Sequence, residues 1–189
     1  MTALAMVAAC EDLQFPGGEV LNGADLIMLP QQAGAPTPSA ATFYVVNSRA
    51  VARTLRHPDN VLTVFADLEF PSGSLASLDG TTLGPDDSVR VTVTPDAGRY
   101  GLTLSPTGLL FSSGVGPTLT LSYARYGDIS AGLASSRYPD APAYAAALDV
   151  WREVGLDRWS VAASSGGTGS DGVTARMNGG GRYVAAAPR

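Results

Sequence analysis

Apolar and polar residues alternate with a period of two through much of this chain, the spacing that buries one face of a strand and wets the other. Val89, Val91 and Val93 fall on one face of a strand whose other face holds Ser88, Arg90, Thr92 and Thr94. Leu119, Leu121 and Tyr123 oppose Thr118, Thr120 and Ser122 in the same way. Thr42-Phe43-Tyr44-Val45-Val46-Asn47 has the β-branched and aromatic content of another strand. Further strands are predicted near residues 50–56, 61–69, 88–94, 99–104, 117–124, 148–154, 158–163, 173–177 and 182–186. Turn sequences such as Leu83-Gly84-Pro85-Asp86-Asp87 and Pro95-Asp96-Ala97-Gly98 separate them. The stretch from Phe70 to Tyr123 reads as one half of a sandwich. Residues 138–144, with Pro139 and Pro142, read as a loop. For residues 145–154 helix propensity competes with a hairpin, and the turn Gly155-Leu156-Asp157 between Trp151 and Trp159 favours the hairpin. The pattern predicts an all-β fold, a two-sheet antiparallel β-sandwich with an extended N-terminal segment.

Composition agrees with many short strands joined by turns. The chain has 189 residues with 22 glycines and 13 prolines, enough for one sandwich-sized core. All 12 basic residues are arginine, against 17 acids. They are scattered singly rather than gathered into the basic face that phosphates demand, which argues against a nucleic-acid partner.

Residues 1–40 have a different character and are predicted as a separate region ahead of a β-sandwich domain over residues 41–189. The only cysteine is Cys10, so no intramolecular disulfide can form. Val7-Ala8-Ala9-Cys10, after an apolar run from Ala3, resembles the lipobox of bacterial lipoproteins, in which small residues precede a lipidated cysteine. That resemblance implies an exported, membrane-anchored protein. A signal peptide also needs a basic start and a longer apolar stretch, which leaves open a start further upstream. The run before Cys10 is far shorter than the ~20 residues that span a bilayer. Residues 11–40 read as a Gly/Pro/Ala-rich tether. Leu26, Ile27, Met28 and Leu29 interrupt it as an apolar patch that either adds a strand to the sandwich edge or docks on a partner.

The order of several short motifs resembles the ZU-five domain of ankyrins and netrin receptors, in its bacterial secreted form. Phe70-Pro71-Ser72-Gly73-Ser74-Leu75 is followed by Val89-Arg90-Val91-Thr92-Val93-Thr94. Leu104-Ser105-Pro106-Thr107-Gly108-Leu109-Leu110-Phe111 and Leu119-Thr120-Leu121-Ser122-Tyr123 come next, and Arg182-Tyr183-Val184-Ala185-Ala186 closes the series. The resemblance covers residues 62–187 and implies a β-sandwich interaction module without an active site. The family's His-Phe-Ser before the last strand is replaced by Gly179-Gly180-Gly181, which predicts looser packing there. On turn chemistry alone, Pro106 suits the second position of a turn and Pro71 ends a strand.

Catalytic and metal-binding patterns are sparse. His57 is the only histidine and lies in Arg56-His57-Pro58-Asp59-Asn60, which reads as a surface turn with no matched nucleophile. One histidine and one distant cysteine do not supply the ligand set of a zinc site. Gly167-Thr168-Gly169-Ser170-Asp171-Gly172 fits a dinucleotide fingerprint, but the strand-like Val173-Thr174-Ala175-Arg176-Met177 follows where a helix is required. The same segment is a single copy of a calcium-binding repeat that works in tandem, so a hairpin loop accounts for it better. Asp79, Asp86 and Asp87 are the remaining oxygen ligands for weak calcium binding.

The sequence therefore predicts a non-catalytic structural or interaction module of the cell envelope, without a cofactor. It would be anchored through Cys10, located in the periplasm or at the cell surface, and docked as an accessory subunit on the external face of a larger membrane protein complex. The alternative is a carbohydrate- or calcium-dependent binding module, with Trp151, Trp159 and Tyr126 as stacking faces.

Overall fold

The computed structural model describes residues 19–169 and 171–189. Cys10 and the lipobox-like start lie outside the described residues. The chain begins with β1 (Val20–Asn22), a 3-10 turn (Gly23–Asp25), β2 (Leu26–Met28), β3 (Ala41–Val46) and β4 (Val51–Arg56). Then come β5 (Val64–Phe70), β6 (Leu75–Leu78), β7 (Thr81–Thr82), β8 (Ser88–Pro95), β9 (Gly101–Ser105), β10 (Leu109–Phe111) and β11 (Thr118–Ser122). Two short helices follow, α1 (Ile129–Ala134) and α2 (Ala141–Ala146). The chain closes with β12 (Asp149–Gly155), β13 (Arg158–Val161), β14 (Ala163–Gly167), β15 (Gly172–Arg176) and β16 (Gly181–Pro188).

The architecture is all-β and sandwich-like. The large sheet has the order β1-β13-β12-β16-β9-β8-β3, with β2 also on β16, and the facing sheet runs β14-β15-β11-β5-β4. A third, three-stranded sheet, β10-β6-β7, accompanies them. The main core draws Phe65, Leu68, Leu119, Leu121 and Val173 from the five-stranded sheet and Val91, Val93, Leu102, Leu104 and Val150 from the large one. All but Phe65, which is out of phase with Leu68 along β5, are inward positions of the period-two pattern. The segment from Phe70 to Tyr123 is not one half of the sandwich, because its strands are divided among all three sheets. The chain changes sheet from β7 to β8, from β9 to β10 and from β10 to β11, steps that periodicity does not encode.

The predicted boundary at residue 41 is also corrected. β1 pairs with β13, and β2 pairs with the last residues of β16 through Ile27 opposite Ala187. The tether thus contributes two strands of the large sheet. Leu26, Ile27 and Leu29 are buried, and Met28 is half-buried. Of the two readings of this patch, the sheet strand is the one adopted, and the chain's own core covers the apolar side chains that a docking face would have to expose.

β16 is central in the large sheet, with β12 on one side and β9 and β2 on the other. Tyr183, Ala185 and Ala187 face the main core, while Val184 and Ala186 join Leu26, Trp151 and Trp159 in a second cluster. The expectation of loose packing before this strand fails for a steric reason. A side chain at Gly180 would meet the Pro106 carbonyl, and one at Gly179 the Leu109 carbonyl. The Gly180 amide donates to the Leu109 carbonyl at 2.7 Å, so the glycines permit close backbone contact.

Residues 138–144 are not simply a loop. Asp128 and Asp140 cap α1 and α2, their carboxylates accepting the amides of Ala131 at 2.9 Å and Ala143 at 2.8 Å. Six-residue helices are too short for a visible 3.6-residue period. The β12–β13 hairpin forms as expected, turning at Leu156 and Asp157. Pro106 takes the first position of its turn rather than the second, since the Leu109 amide donates to the Pro106 carbonyl.

Candidate functional site

The polar groups with most chemical capacity meet where the β4–β5 turn touches the lead between β2 and β3. His57 follows Leu55 by two residues, so the alternation of β4 carries it inward. Its exposure is 0%, which overturns the surface-turn expectation. The Pro36 carbonyl lies 2.6 Å from Nδ1 and can only accept, so Nδ1 donates and Nε2 faces the Tyr100 hydroxyl at 3.5 Å. Phe65 stands edge-on to the imidazole at 5.5 Å, and Tyr126 lies 4.6 Å away. The histidine pins residue 36 of the lead onto the sandwich.

Asp59 sits beside this cluster in the same turn. Its carboxylate accepts the Thr63 hydroxyl at 2.6 Å, the Thr63 amide at 2.9 Å and the Tyr126 hydroxyl at 2.9 Å. The Thr63 hydroxyl above all, then the Thr63 amide, Tyr126 and Arg125, hold the carboxyl well below the usual carboxylate range against the opposing effect of burial. The Arg125 guanidinium approaches to 3.7 Å. Burial first, and the bond to Asp59 next, push the Tyr126 hydroxyl up, and burial does the same for Tyr100. The tyrosines are thereby kept as neutral donors. His57 and Asp59 are each engaged by neighbours that close a turn, the Thr63 hydroxyl being held by the Asp59 carboxylate within that turn.

A second feature is a groove of about 210 Å³ near the ends of β10, β12, β13 and β15. Phe111, Ala162 and Met177 are among its apolar lining, and Arg152 and Arg176 supply its charge. None of its described lining residues is a carboxylate. Arg152 donates from Nη2 to the Gly180 carbonyl at 2.8 Å and lies over the Tyr183 ring, so it also secures the start of β16.

Trp151 and Trp159 are buried in the second cluster, with Arg182 stacked 5.5 Å over Trp159. Their rings are not open faces for sugar stacking. Tyr126 is half-buried against His57 and Asp59. β14, ending at Gly167, and β15, starting at Gly172, pair antiparallel. Asp87 spends a carboxylate oxygen on the Gly84 amide at 2.6 Å. Among the described residues no group of three or more His, Cys, Asp or Glu side chains is placed to hold a metal ion. Reasoning along the chain missed the cluster around His57 because Tyr100 and Tyr126 are distant in sequence. The usable signal was the Leu55–His57 spacing. Comparison with protein-family models, curated proteins and solved structures finds no match for this chain.

Proposed function

We propose that this protein is a non-catalytic interaction module of the cell envelope, exported and held at a membrane by a lipid on Cys10. In this reading it serves as an accessory subunit on the external face of a larger membrane protein complex. The observation that carries the non-catalytic part is the closure of the His57–Asp59 cluster, whose polar atoms are spent on Pro36, Thr63 and Tyr126. The ZU-five-like order of motifs belongs to the same proposal, since it implies a sandwich that binds through its surface. No helix among the described residues is long and apolar enough to cross a membrane, so an anchor would have to come from elsewhere, and Cys10 is the residue with lipobox-like neighbours. The carbohydrate alternative loses support because both tryptophan rings are packed inside.

The anchor is tested with the protein expressed from its own locus, comparing wild type with Cys10→Ser after cell fractionation. The wild type is expected in the membrane fraction, released by detergent and not by high salt, while Cys10→Ser becomes soluble. A soluble wild type, or a Cys10→Ser variant that stays with the membrane, refutes lipid anchoring.

A further inference from the structure

Among the described residues, β1 and β3 end the path of the large sheet and β4 and β14 bound the other, while β2, three residues long, pairs with β16 alone. Open edges recruit foreign strands unless they are short, irregular or guarded by charge. β1 has three residues. β14 is Gly/Ser-rich, with a register break between Ala163 and Gly166. β4 has a register shift after Leu55, and its Arg53 stands opposite the buried Leu68, putting a charge on the inward face. β3 has none of these defences. Its six residues, Ala41-Thr42-Phe43-Tyr44-Val45-Val46, pair with β8 in unbroken register and include no glycine, proline or charge.

The outward backbone groups of β3 can be identified. The Asn47 amide donates to the Asp87 carbonyl at 2.9 Å, continuing the β3–β8 ladder by one pair. Hydrogen-bonded pairs alternate along an antiparallel ladder, so residues 41, 43 and 45 bond to β8 while Thr42, Tyr44 and Val46 turn their N–H and C=O groups to the open edge. The Val46 carbonyl accepts the Arg49 amide at 3.2 Å. The backbone groups of Thr42 and Tyr44 have no protein partner among the described residues. Tyr44 is 61% exposed.

Charge selects what can pair there. The Arg53 guanidinium lies 5.0 Å over the Phe43 ring at the inward side of this edge, and Arg90 is opposite Tyr44 on the outward side. The nearby Asp87 is turned to the Gly84 amide. Two copies of β3 related by a two-fold axis would centre on Phe43 and Tyr44 and bring Arg53 of each copy toward its counterpart. A partner strand with inward acids meets Arg53, and its outward apolar residues lie beside Tyr44.

We propose that β3 is a docking edge that takes an extended segment of a partner protein as an added strand, the segment alternating acidic with apolar residues. The proposal rests on the interaction-module reading and identifies the surface it uses. The full-length protein is titrated with a capped octapeptide of alternating Glu and Val, using a Lys-Val octapeptide as control, and amide hydrogen exchange is followed. The Glu-Val peptide is expected to slow exchange at Thr42 and Tyr44 at least about tenfold, and the Lys-Val peptide to leave it unchanged. Tyr44→Pro removes an outward N–H without breaking a β8 bond and is expected to abolish the protection. Arg53→Glu is expected to reverse the peptide preference and provides a variant with β3 intact. No protection by either peptide, or equal protection by both, overturns the proposal. Concentration-dependent protection without peptide also overturns it, by identifying a second copy as the occupant. Cys10→Ser fractionation does not depend on β3, so failure of this edge and failure of the anchor are distinguishable.

Discussion

Asp59 illustrates how a single side chain ties local turn chemistry to the stability of the fold. Its carboxylate is a better acceptor ionised than neutral, and the Thr63 and Tyr126 donors hold its pKa down. A depressed folded-state pKa contributes stability that is fully present above the unfolded value of about 3.9 and is lost as pH falls through the lower folded value. Asp59→Asn is therefore expected to lower the urea midpoint at pH 7, with the gap from wild type narrowing steadily below about pH 4. Parallel urea titrations across that range check it, and a gap that is constant or widens toward acid refutes the role of the ionised form. His57 lies two positions earlier. Turn composition around it pointed outward, yet it is buried, because Pro36 and Tyr100 provide partners for both ring nitrogens.

At the level of elements, β2 separates a strand from a docking patch. Leu29 has 0% exposure within the main core, and its amide donates to the Ala185 carbonyl at 2.8 Å. Leu29→Ala is expected to destabilise the protein by about 2–5 kcal/mol through lost burial and a cavity. Chemical denaturation measures this, and a change within about 0.5 kcal/mol, the scale of a surface substitution, contradicts the core role. β8 and β11 were legible because their alternation matches burial residue by residue. β6, β7, β10 and β14 were not: β7 and β14 carry no large apolar residue to alternate, and β6 and β10 are too short to stand above neighbouring turns. α1 and α2 were hidden for the same reason, and their signal lay in the capping aspartates Asp128 and Asp140 rather than in any period.

Across the whole molecule, the early chain is structurally inseparable from the late chain. β1 lies on β13, β2 lies on β16, and the Arg189 amide donates to the Asp25 carbonyl at 2.8 Å. A protein starting at Glu19 is expected to keep a cooperative thermal transition. One starting at Ala41 loses Leu26, Ile27 and Leu29 from the side of β16 and is expected to melt at least about 10 °C lower or fail to fold, as the cost of several core side chains adds up. Circular dichroism melts of the two truncations decide this, and equal transitions would show that residues 19–40 are a tether after all.

The sequence by itself determined that the chain is built of antiparallel strands, and which side of the longer ones is apolar. Both follow from a period of two and from turn residues, which act between neighbours in the chain. Of the candidate site it determined the residue types, with one histidine, one cysteine and no lysine. The tertiary structure decided which strands lie side by side: the last strand in the middle of the large sheet, residues 19–40 on its flank, and β3 with one edge unpaired among the described residues. It also decided that His57 is enclosed by Pro36, Tyr100 and Tyr126. Backbone hydrogen bonds are chemically alike at every strand, so the choice of partner falls to the fit of side chains distant in sequence, and that fit exists only once the two sheets have packed together.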